Sequence, residues 1–143
     1  MSVCTFFGHR DCPDSIMPKL QEVLVRLITE EGVDRFYVGN QGNFDAMVYR
    51  VLCELRSIYP YIYVTVVLAY MPTEEIANKY GSDTILSEGI EAVPKRYAIS
   101  WRNMWMIEQA EYVVTYVTRS FGGAARFECY ARKNDAAVIA LVE

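Results

Sequence analysis

Three short segments of this chain carry residues suited to holding a phosphate or a sugar. They are Gly8-His9-Arg10, then Gly39-Asn40-Gln41-Gly42-Asn43 with Asp45 close behind, and finally Gly122-Gly123-Ala124 after Ser120-Phe121. Glycine lets a backbone approach a ligand closely, and the first N–H groups of a helix have no partner inside it. A glycine turn leading into a helix is therefore a natural anion site. The middle segment says most, because the β-forming run Phe36-Tyr37-Val38 meets Gly39 and Gly42 and an amphipathic helical pattern starts at once. Its G-x-x-G spacing is neither the dinucleotide fingerprint G-x-G-x-x-G nor the Walker A motif. Turns of this kind also serve simply as tight connections.

Individual side chains in these turns have two readings each. Arg10 presents a planar guanidinium that forks onto a phosphate or carboxylate, or it forms a surface ion pair with Asp11 or Asp14, worth little. His9, the single histidine, suits a neutral polar contact to a ligand better than proton transfer, and a satisfied structural role is the alternative. Asp45 falls in the first turn of a helix, where a carboxylate complements the dipole, and a ribose hydroxyl is within its repertoire. Further on, Tyr97, Trp101 and Trp105 recur at helical spacing. Such a stripe belongs to a core or a subunit interface more often than to a base-stacking wall. Beside it, Arg102 and Asn103 set polar groups among large apolar ones, the usual make-up of a small-molecule pocket.

The elements that must position these turns alternate strand and helix along the chain. Val3 to Phe7 is a β-prone run, and Ile16, Leu20, Val23, Leu24, Leu27 and Ile28 then recur at helical spacing. Asp14 or Ser15 is placed to cap that helix, Pro18 must sit in its first turn, and Gly32 stops it. Arg35 to Val38 is the second strand, and the helix after it turns Phe44, Met47, Val48, Val51, Leu52 and Leu55 to one side until Tyr59-Pro60. Ile62 to Ala69 is apolar at nearly every position, as in a strand covered on both faces. Residues 70–95 lack clear periodicity and are expected to form a lid or ligand loop, interrupted by a brief strand at Thr84-Ile85-Leu86. A helix over 96–110, a strand from Tyr112 to Val117, a helix from about Ala124 to Lys133 and a strand from Ala137 to Val142 complete the pattern. The fold class is α/β: one Rossmann-like domain over 1–143, a three-layer sandwich with a mainly parallel sheet of about five strands.

Composition excludes several function classes. The chain has 143 residues, 52% of them hydrophobic and 22% charged, with a net charge of −4 and pI near 5.1. No dense Lys/Arg cluster exists, so duplex nucleic acid is a poor partner. The longest apolar runs are too short to span a bilayer, and the N-terminus lacks the features of a signal peptide, so no membrane partner is expected and a cytoplasmic location is. Cys4, Cys12, Cys53 and Cys129 form no C-x-x-C pair. With one histidine, no metal site is expected, and no cofactor is called for. Three cysteines are expected in core elements, with Cys12 exposed in a polar turn.

Taken together, Gly8-His9-Arg10, the Gly39 to Asp45 turn, Arg102-Asn103-x-x-Met106 and Gly122-Gly123-Ala124 resemble the YpsA-like branch of the SLOG superfamily. That superfamily joins the DNA-processing protein A fold to the Lonely Guy phosphoribohydrolases. The resemblance covers nearly the whole chain and keeps motif order. It implies a modified Rossmann fold binding a nucleotide or nucleotide-derived ligand across these loops, often as a sensor. The hydrolase pattern is R-K-x-x-M, an acidic residue nine after the Arg, then P-G-G-x-G-T-x-x-E. Arg102, Met106 and Glu111 match its first part in spacing. In the second part the Pro is absent, Thr118 to Phe121 reads as an insertion, and Glu128 falls on the final Glu. Ala124 and Ala125 stand where the phosphate-holding Gly and Thr should be.

The expected function is therefore binding of a nucleotide-derived small molecule as a sensor or regulatory module. The alternative is cleavage of the N-glycosidic bond of nucleoside monophosphates, with Arg102 holding phosphate and Glu128 supplying the carboxylate. Single-stranded DNA binding ranks third, given the acidic balance. Eleven tyrosines and two tryptophans exceed what one small core needs, which points to a homodimer or higher homo-oligomer through the Trp101–Trp105 helix.

Overall fold

The computed structural model describes residues 2–142. Six strands form one all-parallel sheet in the order β4-β3-β2-β1-β5-β6. In chain order these are β1 (Val3–Gly8), β2 (Arg35–Val38), β3 (Tyr63–Leu68), β4 (Thr84–Leu86), β5 (Tyr112–Tyr116) and β6 (Ala137–Ala140). The helices are α1 (Met17–Thr29), α2 (Gly42–Ile58), α3 (Glu74–Tyr80), α4 (Ala98–Gln109) and α5 (Gly123–Lys133). The Rossmann-like α/β sandwich anticipated from the alternating pattern is present, with the brief Thr84–Leu86 strand counted as the sixth.

Alternation along each strand sends side chains to two cores. On one face, Cys4 and Phe6 of β1, Phe36 and Val38 of β2 and Val114 of β5 pack with Leu20, Leu24 and Leu27 of α1 and with Phe44, Val48 and Leu52 of α2. On the other, Phe7, Val67 and Val113 pack with Met106 and Ile107 of α4 and Phe127 and Ala131 of α5. The central strands are thus covered twice, which is why they read as nearly continuous apolar runs.

Several local expectations change. A 3-10 turn at Asp14–Ile16 precedes α1, so Ile16 takes the N-cap position with no side-chain cap, while Pro18 keeps its place in the first turn. Neither Asp14 nor Ser15 caps α1; the Asp14 carboxylate instead accepts from Asn43 Nδ2 at 3.2 Å. Residues 70–95 are no structureless loop. Thr73 caps α3 by accepting from the Ile76 N–H at 3.2 Å, Gly81 ends that helix at φ +58°, and β4 extends the sheet. Of the cysteines, Cys12 is buried in the α1/α2 core and Cys129 is exposed, the reverse of the reading for Cys12. The turn around Cys12 folds under the start of α2, where Asn43 Nδ2 donates to the Cys12 carbonyl.

Candidate functional site at the carboxyl ends of β1 and β5

Strand order reverses beside β1: the chain leaves it toward β2 on one side, and β5 lies on the other. In open parallel sheets such a switch point opens a crevice outside the strands' carboxyl ends. Gly8 is level with Tyr116 in the register, so the loops after β1 and β5 diverge from one place. A cleft of about 470 Å³ lies there.

The β1 loop is held by contacts on both sides. A side chain on Gly8 would run into the Phe44 ring, so α2 packs directly on the strand end. His9 donates its backbone N–H to the Tyr116 carbonyl at 3.3 Å, and its Nε2 accepts the Thr118 N–H at 2.9 Å. A neutral imidazole accepting at Nε2 carries its proton on Nδ1. No described residue accepts that Nδ1–H, although His9 is only 5% exposed and lines the cleft. Burial, reinforced by the nearby Arg119 cation and opposed by Asp11, holds the His9 pKa below its usual value. Arg10 Nη2 donates to Gln41 Oε1 at 3.0 Å, with no acidic partner within 4 Å among the described residues.

The turn after β2 is braced from within. Gln41 donates its N–H to Asp45 Oδ2 at 2.9 Å, and Asn43 donates its N–H to the Arg10 carbonyl at 2.9 Å. Gly42, at φ +88°, sits so close to Arg10 that a Cβ would lie 2.7 Å from its Cα. Two of the amides expected to face a ligand are therefore spent on holding the turn together and clamping it to the β1 loop. Gly39, Asn40, Gly42 and Asn43 do not line the cleft, whereas Gln41 and Asp45 do.

Arg102 closes the floor. It is 1% exposed, and its donors reach Asn103 Oδ1 at 2.7 Å, the Val67 carbonyl at 2.9 Å and Asn40 Oδ1 at 3.1 Å. Burial lowers its pKa, and the Asp45 and Tyr70 charges oppose that. Asp45 is pushed up to about 6, chiefly by burial, against the Gln41 amide, Arg102 and Arg10. The guanidinium thus ties α4 to β3 and the β2 turn while one side borders the cleft.

The third wall comes from the loop after β5. Gly122, at φ +95°, begins α5 with no side-chain cap, and Gly122, Gly123 and Ala124 all border the cleft. A Cβ on Gly122 or Gly123 would meet nothing within 4 Å. The uncapped helix start, with its unpaired N–H groups and positive dipole end, faces open space. Around it stand residues to which the sequence assigned no ligand role. Arg119 grips Asp11 with bonds of 2.9 and 3.4 Å, Arg126 lies over the Phe127 ring at 5.2 Å, and Phe121 is 70% exposed. Arg126 has no acidic partner within 4 Å among the described residues. Its position in the first turn of α5, beside the double glycine, was the available signal. Arg119 and Phe121 were hidden in a stretch resembling an insertion. Phe7, Met106 and Phe127 give the cleft an apolar base.

Glu128 is not brought to this site. It does not line the cleft, and its carboxylate accepts from the buried hydroxyl of Thr115. No residue from 70–95 lines the cleft either. Of the aromatic stripe, Trp105 stacks on Tyr37 at 5.4 Å, while Tyr97 and Trp101 are 53% and 42% exposed. Among the described residues no group of three or more His, Cys, Asp or Glu side chains is arranged to hold a metal, and no helix is long and apolar enough to cross a membrane. In comparisons with known proteins, no family model matches the sequence and no curated protein matches it significantly.

Proposed function

We propose that the cleft binds a nucleotide or nucleotide-derived ligand through its phosphate, and that the chain is a cytoplasmic sensor or regulatory module of SLOG type. One observation carries this reading. The start of α5 lacks a side-chain cap and opens on the switch-point cleft, where Arg10 and Arg126 have no acidic partner within 4 Å among the described residues. An anion there gains backbone N–H groups, the helix dipole and two guanidinium forks together. The free Nδ1–H of His9 adds a neutral donor on the same wall. The hold of Thr115 on Glu128 favours binding over N-glycosidic cleavage.

Calorimetric titration with AMP, ribose 5-phosphate and adenosine tests the reading. Both phosphates bind and adenosine binds far more weakly, and Arg126→Gln lowers phosphate-ligand affinity by about tenfold, the size of one lost charge-assisted bond. Absence of binding by both phosphates at millimolar concentration, or indifference to Arg126→Gln, overturns it.

Tyr97, just before α4, and Trp101 on it expose aromatic surface, which supports a homodimer through that helix. Light scattering showing a monomer at high protein concentration rejects the assembly without touching the ligand reading.

A further inference from the structure

Phe121 has no part in any core cluster of the described residues and leaves 70% of its surface exposed, yet it lies on the cleft wall. Scattered exposed apolar residues are ordinary on a protein surface. This one sits two residues before Gly123, within about 7 Å along the backbone of the uncapped helix start. It also has a cationic neighbour. The Arg119 guanidinium stands 6.0 Å from the ring centroid, and Arg119 is itself gripped by Asp11 across the crevice. A chain of contacts from the β1 loop through Asp11 and Arg119 thus reaches the ring beside the phosphate cradle.

We propose that Phe121 is a stacking platform for the base of the bound nucleotide, so that the ligand class is one with an aromatic ring about one ribose away from its phosphate. The proposal rests on the phosphate-binding reading above. Stacking on a flat ring tolerates any base, because every base has a π-face. An aromatic side chain has only two torsions to fix and so loses little freedom when the ligand arrives. The platform therefore selects for the presence of a base, and the choice among bases falls to other groups of the cleft.

The test compares AMP with ribose 5-phosphate, which share the phosphate and the sugar, by calorimetry on the wild type, Phe121→Ala and Phe121→Trp. The wild type binds AMP more tightly than ribose 5-phosphate. Phe121→Ala weakens AMP by about tenfold, in line with the loss of one base–aromatic stack, and leaves ribose 5-phosphate unchanged. Phe121→Trp keeps the AMP affinity. Because the ring is exposed and outside the cores, Phe121→Ala keeps the wild-type melting temperature. Equal affinity of the wild type for both probes, or equal losses in Phe121→Ala, overturns the platform while the phosphate site stands. Failure of the wild type to bind either probe overturns both.

Discussion

Asp45 Oδ2 lies 2.7 Å from the point where a Cβ on Gly39 would begin, and Arg102 Cζ lies 3.5 Å from the same point. The backbone at Gly39 passes between a half-buried carboxylate and a buried guanidinium, and only a hydrogen fits there. The glycine that gives the turn its phosphate-binding look is thus required by an internal acid–base arrangement. Its contribution to a ligand site is indirect: it lets Asp45 reach back to the Gln41 N–H.

Gly39→Ala consequently destabilises the fold, by about 1–3 kcal/mol for an overpacked methyl. The cost comes from contact, since Gly39 is not in the left-handed region. Chemical denaturation of Gly39→Ala, Asp45→Ala and the double variant measures it. If the two changes add, the Asp45 contact is not the source; a double variant more stable than the sum confirms it.

How much of this was legible beforehand follows from what kind of signal each feature leaves. The strands and long helices announced themselves through periodicity, because Phe36 and Val38 or Phe44 and Val48 must face a core wherever it lies. The seven-residue α3 left no periodic trace and was marked only by its Thr73 cap and Gly81 stop. The glycine turns were visible, but which of their amides stay free was not. Gln41 and Asn43 spend theirs on Asp45 and on the Arg10 carbonyl, partners set by tertiary approach. Glu128 had the spacing of a catalytic residue, yet its neighbour proved to be Thr115 on the adjacent strand. Spacing places a residue on an element, and register then decides what that residue meets.

Gly123 separates folding from binding. Nothing lies within 4 Å of a Cβ built there, and its backbone is not left-handed. Alanine has the higher helix propensity, by up to about 1 kcal/mol. Gly123→Ala is therefore as stable as the wild type or more so by thermal denaturation. Gly123 borders the cleft, so on the phosphate-binding reading the added methyl crowds the α5 amides, and affinity for ribose 5-phosphate drops by at least about tenfold, one lost close bond. Retained affinity would mean that the phosphate does not approach this helix start.

The pH dependence has two components of opposite sign. His9 has a lowered pKa in the folded protein, so its contribution is complete above about 6.5, the ordinary value, and fades as the unfolded chain takes up a proton below it. Asp45 is raised to about 6 from 3.8. Its contribution is present below 3.8 and is lost as pH rises through about 6, by on the order of 1–3 kcal/mol. The stability of the wild type relative to Asp45→Asn accordingly falls between pH 4 and 6, on account of that same raised pKa. As the sole imidazole, His9 gives one unambiguous NMR titration. A midpoint at or above 6.5, the ordinary value, would show that burial and the Arg119 cation do not hold the ring neutral.

Glu128 decides between binding and cleavage. Its carboxylate satisfies the hydroxyl of Thr115, which is 0% exposed on β5, and so pins α5 to the sheet. Glu128→Ala leaves that hydroxyl without its acceptor and costs about 1–3 kcal/mol. Adding Thr115→Val, which removes the orphaned group at nearly constant shape, recovers much of the loss. AMP affinity is unchanged in both variants, because neither side chain lines the cleft. Incubation of AMP with the wild type, followed by chromatography of the base, completes the comparison. Adenine release that is present in the wild type and lost in Glu128→Gln would assign Glu128 to catalysis and reverse the binding reading. A stability defect in Glu128→Ala that Thr115→Val repairs, without any adenine release, identifies Glu128 as a structural anchor that holds the middle of α5 to β5.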